Sequence, residues 1–132
     1  MAAHADASAP QAGTATAPVV LIAEDTPEVR DLLVEVLIME GYSVIAAGDG
    51  LEALEALRRY HVDVLLLDLM MPRLNGWELL SRLEQEALAP PSVIVLTAAH
   101  DLRGVERHPL VRATVRKPFD LDHLLDLIRK LT

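Results

Sequence analysis

Four points in this sequence hold residue types suited to phosphate or metal chemistry, and each closes a short strand-like segment: Glu24-Asp25, Asp68, Thr97 and Lys117. Three carboxylates brought together raise one another's pKa, and a hard divalent cation relieves that conflict. Carboxylate oxygens, a backbone carbonyl and retained waters are the ligands Mg2+ prefers. An ammonium can pair with an anion's oxygens and a hydroxyl can donate to one. Together these groups suit transfer of a metal-bound phosphoryl group to a carboxylate nucleophile.

Such convergence requires a scaffold that places distant residues on one edge. The Val/Leu run over residues 62–67 shows almost no polar alternation, which suits a strand buried on both faces of a parallel sheet. Turn formers follow in Met71-Pro72 and Asn75-Gly76, so Asp68 falls where the strand leaves the sheet, at the carboxyl edge. Residues 19–23 form a first strand, and Thr26-Pro27 opens a helix with the stripe Val29, Leu32, Leu33, Val36 and Leu37. Gly41 ends it. Residues 43–47 make a second strand, and Asp49-Gly50 starts a helix through Arg59 with Leu51, Leu54 and Leu57 inward. A third helix spans residues 77–87, and Pro90-Pro91 precedes a fourth strand over 93–97.

The segment 98–112 has a poor stripe in Leu102 and Val105, a helix-weakening Gly104, and Pro109, which forbids continuation. It predicts a short helix with little buried area that opens easily. Residues 113–116 form a fifth strand, and Asp120 caps a closing helix with Leu121, Leu124, Leu125, Ile128 and Leu131 inward. Strands alternating with helices build right-handed crossovers and a parallel α/β sheet covered on both faces. The ends of strands one, three, four and five then share one edge.

Composition narrows the partners. A chain of 132 residues makes one domain, and a net charge of −8 argues against nucleic acid and for a protein or cation. With no Cys there is no thiol nucleophile, disulfide or zinc thiolate site. His4, His61, His108 and His123 lack metal-ligand spacing and are expected to be solvated, as is His100 on its loop. No apolar run reaches the roughly 20 residues of a membrane span. Residues 1–18 are Ala-rich, lack a signal-peptide pattern and read as a disordered tail, so a cytoplasmic location is expected.

Read together, these motifs resemble the receiver domain of two-component response regulators over residues 19–132. The likeness rests on Glu24-Asp25, on Asp68 within the run 65–72, on Asn75-Gly76, on Thr97-Ala98 and on Lys117-Pro118-Phe119. It implies a flavodoxin-like, doubly wound (βα)5 three-layer sandwich with strand order 2-1-3-4-5. It also implies Asp68 as phosphoacceptor from a sensor histidine kinase or histidine phosphotransfer protein. Glu24, Asp25, the Asp68 carboxylate and the Met70 backbone carbonyl would be the protein ligands of Mg2+. Thr97 and Lys117 would contact the phosphoryl oxygens, and a cis peptide is typical of the Lys117-Pro118 position. Receiver domains pair through varied surfaces, so a homodimer is compatible with the likeness.

Two departures fall on the usual output face. Thr114 occupies the position of an aromatic rotamer switch, and the stretch between Thr97 and Lys117 is short, carries Pro109 and lacks the common Gly-Ala. Output is therefore expected from backbone rearrangement over residues 97–109. Met70 and Ala99 flank the place where attacking water would be held, and neither side chain positions water, which predicts slow acyl-phosphate hydrolysis. The leading reading is a stand-alone receiver signalling by contact with a downstream protein, since nothing beyond Thr132 could bind DNA. A phosphorylation-independent interaction module of the same fold is the alternative. An Asp-nucleophile phosphohydrolase would need an acid two residues after Asp68, where Met70 stands.

Overall fold

The computed structural model describes residues 9, 10 and 16–132, so most of the tail expected over 1–18 lies outside the described residues. Five parallel strands, β1 (Val19–Ala23), β2 (Ser43–Ala47), β3 (Val64–Leu67), β4 (Ser92–Thr97) and β5 (Val111–Arg116), lie in the order β2-β1-β3-β4-β5. The order follows from parallel crossovers that wind first one way from β1 and then the other. Its reversal lies between β1 and β3, where both acidic stretches emerge.

Alternation along each strand divides the core into two layers. Leu21, Ile45, Leu65, Leu67, Val93 and Val95 face α2 (Gly50–Arg59) and α3 (Gly76–Gln85). Val20, Ile22, Val44, Leu66, Ile94 and Leu96 face α1 (Pro27–Met39) and α4 (Leu121–Leu131). The central strands β1 and β3 are therefore apolar at every position, the cause of their unbroken aliphatic runs.

Local chemistry sets most helix ends as expected. Pro27 opens α1, the Asp49 side chain accepts the Glu52 N–H at the start of α2, and Asp120 accepts the Asp122 N–H at the start of α4. Asn75 and Glu78 form a reciprocal capping box on α3. Gly50 has a steric role: a Cβ there would sit 1.7 Å from the Leu74 carbonyl oxygen, so the β3–α3 loop closes directly on the α2 N-terminus.

Several expectations are corrected. The buried face of α1 is Arg30, Leu33 and Leu37, and Leu32 is 48% exposed. Leu51 likewise points outward, at 41% exposure, because the true inward stripe of α2 runs through Ala53, Leu54, Ala56 and Leu57. No α-helix forms between β4 and β5 among the described residues. A single 3-10 turn, Val105–Arg107, replaces it, so the (βα)5 pattern is one helix short. Left-handed backbone at Arg103 (φ 50°) and Gly104 (φ 78°), followed by Pro109, prevents a longer helix. β5 begins at Val111 rather than 113, with a break in register beside Val93 and Ile94. His108 is not solvated. Its side chain is 17% exposed, Nδ1 accepts the Leu110 N–H, and Nε2 lies 3.3 Å from Glu84 Oε1.

Candidate functional site

At the carboxyl edge of the sheet the backbone ladder extends one residue past the strands. The Asp68 N–H donates to the Ala23 carbonyl at 3.0 Å, and the Glu24 N–H donates to the Ala47 carbonyl at 3.0 Å. These bonds fix the two acids' main chains side by side. Glu24 is 1% exposed and Asp68 5%, whereas Asp25 is open to solvent. One carboxylate oxygen from each of Glu24, Asp25 and Asp68 lies within 4.8 Å of the others.

Lys117 reaches this cluster from the end of β5, its Nζ 2.5 Å from Glu24 Oε1 and 3.2 Å from Asp68 Oδ2. Glu24 is the nearer of its two partners, and Asp25 turns outward to solvent. The Lys117-Pro118 bond is cis, and the Lys117 N–H donates to the Thr97 carbonyl, tying the β5 exit to β4.

Burial lifts the Glu24 carboxyl above the usual range, against the opposing pull of the Lys117 ammonium and the Thr26 N–H. For Lys117, burial works to lower its pKa, yet the Glu24 and Asp68 carboxylates outweigh it and hold the ammonium above the ordinary lysine value. Three carboxylates against one ammonium leave two negative charges when all are ionised. A divalent cation would balance them.

Thr97 stands at the same edge, 1% exposed, with its hydroxyl oxygen accepting the Ala99 N–H at 3.1 Å. Met70 donates its backbone N–H to Asp68 Oδ1 at 3.1 Å and leaves its side chain 58% exposed at the mouth. Thus Glu24, Asp25, Asp68 and Lys117 meet as one cluster. Thr97 joins through its backbone bond to Lys117 and its burial beside β3.

Three arginines escaped the sequence reading. Arg30 is 8% exposed and donates from Nη1 to the Glu24 carbonyl at 3.0 Å, bracing the acidic loop from α1. Its spacing to Leu33 and Leu37, three and seven residues on, marks it as inward-facing, but a charged side chain is discounted from an apolar stripe. Arg73, with Nε 2.8 Å from Asp49 Oδ2, joins the β3–α3 loop to the α2 cap. Arg116 on β5 donates to the Ala99 and His100 carbonyls at 2.6 and 3.2 Å, pinning the chain just after Thr97. No sequence signal separates it from an ordinary exposed arginine.

The residues fit Mg2+: hard oxygen donors, closely set, partly buried and carrying the charge it needs. Among the described residues, no helix is long and apolar enough to cross a membrane.

Comparison with known proteins agrees with this geometry. The family model described as "Response regulator receiver domain" matches residues 20–129. The chain is 34% identical over 115 residues to sporulation initiation phosphotransferase F of Bacillus subtilis, covering 84% of this chain and 90% of that protein. It is 36% identical over 110 residues to the transcriptional regulatory protein PdtaR of Mycobacterium tuberculosis, covering 83% of this chain but 54% of that one. Against other curated relatives it spans about a third to half of their length, as with 32% and 50% for two response regulators. The solved response regulator TrrA of Thermotoga maritima, in complex with Mg2+ and BeF, superposes with a TM-score of 0.74 at 30% identity, over 87% of this chain and 99% of that one. The parallel sheet covered by helices on both faces, its acidic edge and these likenesses lead to one assignment: the chain belongs to the response regulator receiver domain family.

Proposed function

We propose that this domain accepts a phosphoryl group on Asp68 from a phosphohistidine of a sensor kinase or phosphotransfer protein and then signals through contact with a downstream protein. The observation that carries this reading is the cluster of Glu24, Asp25 and Asp68 with Lys117 bonded across it. Asp68 is the nucleophile: its carboxylate oxygen forms the new bond to phosphorus while the P–N bond breaks and its electron pair stays with the donor imidazole. Glu24, Asp25, the Asp68 carboxylate and the Met70 carbonyl would hold Mg2+, which when bound supplies charge neutralisation at the phosphoryl oxygens.

Lys117 bridges two carboxylates within reach of the nucleophile, so its ammonium is placed to exchange a carboxylate for a phosphoryl oxygen as charge moves outward. The Thr97 hydroxyl oxygen accepts the Ala99 N–H, and its own proton can be donated to a phosphoryl oxygen. Action in the cytoplasm, with no turnover of an external substrate, belongs to the same proposal.

Binding of beryllofluoride with Mg2+, followed by Trp77 fluorescence or NMR, tests it. Saturable, Mg2+-dependent binding is expected. No binding would instead favour an interaction module that works without phosphorylation, a reading to which the missing helix and exposed Thr114 lend some support. A corollary concerns lifetime: the Met70 side chain and Ala99 offer no group to orient water, so the acyl phosphate decays slowly. Loss of the phosphoryl group within seconds at neutral pH would contradict that.

A further inference from the structure

A cavity of about 470 Å3 opens beside the acidic cluster, bounded by Asp25, Met70 and Asn75 on one side and by Trp77 and Arg103 on the other. Arg103 belongs to the β4–β5 crossover and reaches this wall because the chain there forms a 3-10 turn rather than a helix. Its guanidinium carbon lies 4.8 Å from the centroid of the Trp77 ring. The ring is itself fixed, its Nε1 donating to the Leu102 carbonyl at 2.9 Å.

Four of the ten arginines of this acidic chain are tied to carboxylates. Arg58 pairs with Glu86, Arg73 with Asp49, Arg82 with Glu86 and Arg129 with Glu40. Arg103 makes no ion pair among the described residues, and it stays exposed. Its backbone adopts φ 50°, a left-handed conformation that disfavours a non-glycine residue. A cation stacked on an indole ring, with no carboxylate partner among the described residues, thus lines the same cavity as a carboxylate of the acidic site.

We propose that Arg103 recognises the leaving group of small acyl phosphate donors, so that among small-molecule donors the domain favours those that depart as anions. The inference rests on Asp68 being the acceptor. In-line transfer to Asp68 directs the leaving group away from the nucleophile, and the cavity adjoins the site at Asp25 and Met70. In that step an Asp68 oxygen bonds to phosphorus and the bridging P–O bond breaks, its electron pair leaving with the acyl carboxylate. Net charge is conserved and no proton or co-reactant is required. A guanidinium is matched in shape to the carboxylate that gains charge as the bond breaks. Phosphoramidate, by contrast, departs as neutral ammonia and gains nothing from that cation.

The test compares initial rates of Asp68 phosphorylation by acetyl phosphate and by phosphoramidate, with Mg2+, at fixed ionic strength. Arg103→Gln is expected to lower the acetyl phosphate to phosphoramidate rate ratio about tenfold, and Arg103→Lys to lower it less. Retained beryllofluoride binding by the variants shows that the acceptor site is intact. An unchanged ratio, whether both rates fall together or neither does, overturns the role of Arg103 and leaves the acceptor reading standing. Failure of the unmodified domain to bind beryllofluoride or to react with either donor overturns both.

Discussion

The two segments that flank Asp68 are held in opposite ways. The β3–α3 loop buries Leu69, Met71 and Leu74, closes a capping box through Asn75 and Glu78, and presses its Leu74 carbonyl against Gly50. The β4–β5 crossover fully buries only Val105, and it is held by separable bonds: Arg116 on the Ala99 and His100 carbonyls, and Trp77 on the Leu102 carbonyl. Interlocked backbone does not move without losing packing, whereas a few directional bonds exchange for others at little cost. The difference teaches that Asp68 is fixed and the segment beside Thr97 is the part free to respond. A coupling of about 1–3 kcal/mol suffices to shift such an element.

Glycine substitution sharpens the contrast most. Gly50→Ala drives a Cβ into the Leu74 carbonyl and should destabilise the domain by about 3 kcal/mol or more in urea unfolding. Gly104→Ala meets only the flexible Arg107 guanidinium, at 2.9 Å, and bears a left-handed φ, so about 1–2 kcal/mol is expected. Equal losses would break the comparison.

Arg116→Ala comes next. Removing its two carbonyl bonds should speed amide exchange across residues 98–104 by roughly tenfold while costing less than about 1 kcal/mol globally. In the unmodified domain, beryllofluoride with Mg2+ should change protection over residues 97–109 more than over 69–76. Identical protection across 97–109 would rule out readout by that crossover.

The smallest effect lies far from both segments. Hydrogen bonds from Arg58, then Arg82, hold the Glu86 carboxyl down at about 2, from an ordinary 4.5. A depressed folded-state pKa adds stability that is complete above pH 4.5 and is lost as pH falls toward 2. Glu86→Gln should therefore flatten the stability profile across that window and leave the neutral-pH site untouched. Its exposure keeps the change slight.

Much of this site was readable before any coordinates, for a geometric reason. Parallel strands bring all their carboxyl ends to one edge, so Glu24, Asp68 and Thr97 could be gathered by finding where aliphatic runs stop, and Lys117 by the end of the more polar fifth strand. The fold followed from the same runs. The arginines did not: Arg30, Arg103 and Arg116 look alike in sequence, and their contacts with a carbonyl, an indole ring and a turn arise only from tertiary placement. The missing helix was half legible, since Gly104 and Pro109 forecast weakness but not its reduction to one 3-10 turn. His108 was misjudged because that turn lays it against α3, beside Glu84.

Intact-mass measurement after incubation with phosphoramidate and Mg2+ tests the central claim most directly, run on the unmodified domain and on Asp68→Asn. The account predicts a single added phosphoryl group on the first, dependent on Mg2+, and none on the second. Equal phosphoryl incorporation in both would contradict it.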